Sequence, residues 1–240
     1  MDTPQNSPQN ILAIDTATNI LSIALSAGNR RWYVEADAGL RHSEILMDLT
    51  DLLMKQGGLK PADLNLVACM KGPGSFTGLR IGFSAAKGLA LSLGIPLRAI
   101  PTLDCMAWSL SPWPGLVVPV MDAKKHRFFI ALYRGGEKIH PDMDADPAEI
   151  AGAITGAIGS GPGESPVPVI LTGADAPLLR AELLKQGPGP FPILLDPAYR
   201  KGRGMELLEL ALNDKKADTV DEASFAGPEY IRKSDAELKS

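Results

Sequence analysis

The chain has 240 residues, 45% of them hydrophobic and 22% charged, with a formal net charge of −4. That is enough chain for one large domain or two smaller ones with full cores, and the acidic balance argues against a protein that grips nucleic acid mainly by its own charge. Cys69 and Cys105 stand in apolar surroundings without a histidine-rich cluster, which fits buried reduced thiols of a cytoplasmic protein rather than a disulfide or zinc framework.

Residues 1–9 are rich in Pro, Gln and Asn, with neither a basic segment nor an apolar one, so a disordered arm is expected and not a secretion signal. No apolar run approaches the length of a membrane span. Ile11–Ile14 reads as a short strand, Asp15–Asn19 as a polar turn, and Ile20–Ser26 and Arg31–Ala36 as two strands joined by Gly28-Asn29. A helix over 42–56 follows and stops at Gly57-Gly58. A strand over 64–70 enters a glycine-rich loop, then come a helix over 77–93 closed by Gly94, a strand over 95–100 and a short helix over 103–110. This β-β-β-α-β-α-β-α order implies a mixed sheet with helices packed on it.

Pro112-Trp-Pro-Gly115 punctuates the chain, and strands restart at 117–121 and 127–134, closed by Gly135-Gly136. Helices are expected over 147–158, 177–186 and 205–213, a strand over 169–172, and a loop over 159–168. The restart suggests a degenerate duplication: a first lobe over 10–111, a second over 112–226, and a tail over 227–240 that returns to the first lobe.

The glycine loop, Gly72-Pro-Gly-Ser-Phe-Thr-Gly78, follows a strand and opens a helix, where unpaired N–H groups and the helix dipole suit an anion. Its spacing is one residue too long for a dinucleotide fingerprint, and no Gly-Lys-Ser/Thr follows. A tight turn with an N-cap at Ser75 or Thr77 is the simpler reading.

Two helices carry a second face. In the first, Ile45, Leu46, Leu49, Leu52 and Leu53 form the core stripe, and Ser43, Met47, Thr50 and Met54 lie across from it. In the second, Leu79, Phe83, Ala86, Leu89, Ala90 and Leu93 face the core, while Ile81, Ser84, Gly88 and Ser92 make a smooth track on the other side, with Arg80 and Lys87 nearby. Methionine suits adaptable binding surfaces, so these eight second-face positions are expected to form a subunit interface. Lys124, Lys125, His126 and Arg127 make one basic cluster, read as a solvated hairpin edge, with contact to nucleic-acid phosphates as the alternative.

The segments Ile11–Thr18, His42-Ser-Glu44, Gly72–Gly82, Ala86-Lys-Gly-Leu-Ala90, Ile95-Pro96 and Pro101-Thr-Leu-Asp104, with Asp122-Ala-Lys-Lys125 and Pro228-Glu-Tyr-Ile-Arg232 more loosely, together resemble the TsaB (YeaZ) family of bacterial tRNA threonylcarbamoyladenosine biosynthesis subunits. The resemblance is tight over 10–105 and sketchy over 135–220. It implies an α/β, two-lobed fold of the actin, Hsp70 and sugar-kinase type, with duplicated β-β-β-α-β-α units and a degenerate second lobe. It also implies a partner subunit that pairs with TsaD through the two first-lobe helices, that supports the ATPase TsaE, that meets tRNA only through the complex, and that forms a homodimer when alone.

The same resemblance implies no catalysis and no cofactor of its own. The slots of the TsaD His-x-x-x-His metal pair hold Thr102 and Met106 here, and His42, His126 and His140 include no pair at helical spacing. No Ser/His/Asp or Cys/His set supports a peptidase. Kinase-like relatives place glycine where Ala17 stands, so Asp15, Thr16, Thr18, Gly72, Gly74, Ser75, Thr77 and Gly78 would be at most a vestige of an anion or nucleotide site. A stand-alone small-molecule kinase or ATPase of the same fold is the alternative.

Overall fold

The computed structural model describes residues 10–158, 167–185, 191–213 and 227; the expected N-terminal arm, most of the 159–168 loop and the tail beyond Gly227 lie outside the described residues. Three hairpin-linked strands open the chain, β1 (Ile11–Asp15), β2 (Ile20–Ala27) and β3 (Arg30–Asp37). Helix α1 (His42–Gly57), β4 (Leu66–Gly72), α2 (Phe76–Leu93), β5 (Leu97–Pro101) and α3 (Thr102–Trp108) follow. Then come β6 (Leu116–Lys124), β7 (Arg127–Arg134), β8 (Glu137–Ala145), α4 (Pro147–Ile158), β9 (Val169–Thr172), α5 (Ala176–Lys185), β10 (Ile193–Leu195) and α6 (Gly204–Asn213).

The described residues up to Cys105, together with Gly202–Asn213, form one unit, and Met106–Lys201 form the other. The first sheet has the order β3-β2-β1-β4-β5; β1 runs antiparallel to β2 and parallel to β4. The second has the order β8-β7-β6-β9-β10, with β6 antiparallel to β7 and parallel to β9. Strand for strand, the second sheet repeats the first, as the two-lobed actin, Hsp70 and sugar-kinase type of fold requires. The repetition reaches single residues: Asp15 Oδ1 accepts from Ala17 N at 3.0 Å, and Asp122 Oδ1 accepts from Lys124 N at 2.7 Å, each near the C-terminal end of the first strand of its sheet.

β1 is buried on both faces because it lies mid-sheet between two layers. On one side Leu12, Ile14, Ile23, Leu25, Val67 and Cys69 pack against Leu46, Leu53 and Met54 of α1 and Phe83, Ala86 and Ala90 of α2. On the other, Ile11, Ala13, Ala24, Leu66 and Ala68 meet Leu207, Leu208 and Ala211 of α6. The expected second lobe over 112–226 is corrected here: α6 belongs to the first unit, because its apolar stripe covers the back of the first sheet. In the second unit Val118, Val120, Ile130 and Leu132 pack against Ile150 and Ile154 of α4 and Leu179 and Leu183 of α5.

Two strands escape the sequence reading. β8 is mostly polar, carries His140-Pro141, and pairs with β7 through register shifts, so it shows no alternation. β10 has three residues at a sheet edge. Burial pushes the Cys69 thiol up to about 12 and the Cys105 thiol well above its ordinary value.

Candidate partner face and glycine loop

The glycine loop is shaped by what presses on it. Ser75 caps α2 by accepting from Gly78 N at 3.2 Å, the tight-turn reading of the sequence. The turn after β1 lies against the same residues: Ser75 N donates to Ala17 O at 2.7 Å, and Thr16 Oγ1 donates to Gly78 O at 2.7 Å. A Cβ at Gly78 would fall 2.1 Å from Thr16 O, and one at Gly82 would fall 2.2 Å from Thr16 Oγ1. The glycines therefore let helix and turn touch. Gly74 likewise faces Ala17, Gly72 is buried at the end of β4, and Thr77 is exposed on the first turn of α2.

Asp15 is buried beneath this contact. Its carboxylate accepts from Ala17 N at 3.0 Å, from Ser22 Oγ at 3.1 Å and from Arg203 N at 2.7 Å. Burial still dominates and holds its pKa above the ordinary carboxylate value, the three hydrogen bonds lowering it only in part. Thr18 is half-buried, with its carbonyl oxygen 2.9 Å from His42 Nε2. Of the eight vestige positions, Thr16, Gly74, Ser75 and Gly78 meet in one junction with Ala17, with Asp15 buried beside them, whereas Thr77 is exposed.

Exposure divides the eight positions expected on the second faces of the two helices. Ser43, Met47, Ser84, Gly88 and Ser92 are exposed and Ile81 is half-buried. Thr50 and Met54 are not on that face: they are 6% and 5% exposed, because α1 is rotated so that His42, Leu46, Thr50, Leu53 and Met54 point inward. Thr50 Oγ1 donates to Leu46 O at 2.8 Å, which satisfies its hydroxyl inside the core. Leu52, expected in the core stripe, is instead 46% exposed.

Large apolar side chains are also exposed on both helices. Met47 (51% exposed), Leu52, Phe76 (46%) and Leu91 (62%) all stand on α1 and α2. Arg80 stacks over the Phe76 ring at 3.8 Å, and the pair borders a shallow groove of about 420 Å³ with Thr77, Ile81 and Ser84. A Cβ at Gly88 would meet nothing within 4 Å. Phe76 and Leu91 were legible as apolar residues outside the core stripe of α2; Leu52 was not, since its wheel position matched the stripe.

The basic cluster at the β6–β7 hairpin is largely neutralised. Lys124 Nζ lies 2.7 Å from Asp122, Arg127 pairs with Asp144 at 2.8 Å and Glu149 at 3.2 Å, and His126 lies 3.8 Å from Glu182. Phe128 turns into the core and Phe129 is half-buried. Thr102 and Met106 are both buried in α3. Among the described residues, no three His, Cys, Asp or Glu side chains gather into a set that could hold a metal, and no helix is long and apolar enough to cross a membrane.

A family model described as TsaD, tRNA N6-adenosine threonylcarbamoyltransferase, matches residues 35–164. The Bacillus subtilis tRNA threonylcarbamoyladenosine biosynthesis protein TsaB is 31% identical over 237 residues, 95% of this chain and 96% of its own length. The Escherichia coli TsaB is 35% identical over 130 residues, 53% of this chain and 56% of its own. An uncharacterized Pseudomonas aeruginosa protein with similarity to peptidase YeaZ superposes with a TM-score of 0.75 at 23% identity, covering 93% of this chain and 100% of that one. YeaZ from Pseudomonas aeruginosa does so with a TM-score of 0.67 at 24% identity, over 85% and 91% of the two chains. With a relative at that identity spanning nearly its whole length, this chain belongs to the TsaB (YeaZ) family, whose members are named for tRNA threonylcarbamoyladenosine biosynthesis.

Proposed function

We propose that this protein is a non-catalytic partner subunit in tRNA threonylcarbamoyladenosine biosynthesis. It pairs with a TsaD chain, which transfers threonylcarbamoyl from its adenylate to the adenosine beside the anticodon in tRNAs that read codons beginning with A. It acts in the cytoplasm, supports binding of the ATPase TsaE, and meets tRNA through the complex. Alone, it pairs with a second copy through the same face.

The observation that carries this reading is the outer face of α1 and α2. Met47, Leu52, Phe76 and Leu91 are exposed on these two helices, and Ser84, Gly88 and Ser92 leave an open track along α2; large exposed apolar side chains beside a track of small residues support a docking surface. The slots where TsaD carries its metal pair hold Thr102 and Met106, neither a ligand for a hard divalent ion. The loop where a kinase would cradle phosphate is filled by Thr16 and Ala17. No cofactor is proposed.

The test is reconstitution. The purified chain is mixed with a purified TsaD homologue, a TsaE homologue, threonylcarbamoyl-adenylate, ATP and tRNA, and modified adenosine is measured with each protein omitted in turn. The expected result is product only when this chain and the TsaD homologue are both present. Product formed by this chain without the TsaD homologue would overturn the reading.

A further inference from the structure

We infer that the Asp15–Thr18 turn is a positioning latch: it sets how α1 and α2 lie side by side, and so sets the shape of the partner face proposed above, on which this inference rests. Both helices begin on this one turn. For α2, Thr16 Oγ1 donates to Gly78 O at 2.7 Å and Ser75 N donates to Ala17 O at 2.7 Å. For α1, His42 is its first residue, is buried, and holds Nε2 2.9 Å from Thr18 O. The approach to α1 is tied to the end of the turn as well, since Ala38 N and Gly39 N both donate to Asn19 O, at 3.0 and 3.2 Å.

The turn is also held from behind. Asp15 accepts from Ala17 N within the turn and from Arg203 N at the start of α6. Its main chain is therefore fixed between α6 on one side and the two helix starts on the other. Gly78 and Gly82 bring α2 so close to Thr16 that a single added methyl at either position has no room. Close-packed contacts of this kind move a helix as a body. Thr16 and His42 are buried and do not reach the outer face, so any effect of them on partner binding must travel through the helices. They are positioning residues.

The test compares three variants with the wild-type chain for affinity to a purified TsaD homologue, by calorimetry well below each variant's Tm. Thr16→Val keeps the shape and removes the hydroxyl; loss of one buried hydrogen bond predicts about five- to tenfold weaker binding if α2 shifts. Gly82→Ala is expected to weaken binding by more than Thr16→Val, because its Cβ would fall on Thr16 Oγ1. The Thr16→Ala/Gly82→Ala pair removes the hydroxyl that this methyl strikes but also the latch hydrogen bond, and is expected to bring the affinity from the Gly82→Ala value back to about that of Thr16→Val. Variants that lower Tm yet bind with wild-type affinity would overturn the latch while leaving the partner face standing. If Gly82→Ala does not fold, Thr16→Val alone decides. A wild-type chain that does not bind the TsaD homologue would overturn the partner-face reading, and the latch with it.

Discussion

Asp15 closes β1, and its carboxylate is taken up by protein donors: Ala17 N, Ser22 Oγ and Arg203 N. Because burial raises its pKa above 3.8 in the folded chain, its ionised form is less favoured there than in the unfolded chain. The stability it contributes is complete below the unfolded value and is lost as pH rises through the folded one. Asp15→Asn deletes one acceptor for Ser22 and Arg203 N and is expected to cost about 1–3 kcal/mol in urea unfolding near pH 4. The difference from wild type should shrink as the pH is raised towards 8; a gap that widens with pH would contradict the raised pKa. At the same scale, the thiols of Cys69 and Cys105 are both buried and both shifted upward, so neither should react with a thiol reagent at pH 8 until the chain is unfolded.

Helices α1 and α2 show which parts of an element a sequence carries. The core stripe of α2 and its small-residue track were legible, since Phe83, Ala86 and Ala90 alternate cleanly with Ser84, Gly88 and Ser92. On α1 the stripe was misplaced by part of a turn. Threonine and methionine suit either side of a helix: a hydroxyl can be satisfied by the carbonyl four residues back, and a thioether chain fills irregular gaps. Nothing in the chain order distinguishes Met47, which is exposed, from Met54, which is buried. The two therefore make a matched experiment. Met54→Ala is expected to destabilise the protein by about 2–5 kcal/mol through loss of core packing, with partner affinity unchanged at a temperature where the variant is folded. Met47→Ala should leave Tm within a degree or two and weaken association with the TsaD homologue. Gly88→Arg belongs with the second class: a side chain there has open space in the monomer, so the fold should persist while light scattering reports loss of the complex. Equal mass in the mixture with and without the substitution would remove this face from the interface.

Across the whole chain, the duplication was visible only as a restart of strands at residue 117, since no run of residues repeats. What repeats is connectivity, two antiparallel neighbours on one side of the first strand and two parallel ones on the other. Sequence carries that pattern weakly, because any strand order that buries the same faces satisfies the same hydrophobic periodicity. The return of α6 to the first sheet was hidden for a related reason: its apolar stripe would fit the back of either sheet, and hydrogen bonds from Arg203 N to Asp15 and from Gly204 N to Ser22 select the first. That choice bears on nucleotide chemistry. In the first unit the carboxylate at the end of β1 accepts from Ala17 N, Ser22 Oγ and Arg203 N, and Gly74, Gly78 and Gly82 pack against Thr16 and Ala17, which argues against a triphosphate and its magnesium ion seating there. Titration of the isolated chain with MgATP should accordingly give no micromolar binding isotherm, and Gly82→Ala or Asp15→Asn should leave that blank result unchanged. A micromolar dissociation constant that Asp15→Asn abolishes would mean that the junction opens to admit phosphate, and the alternative of a small-molecule kinase or ATPase would then displace the partner-subunit reading.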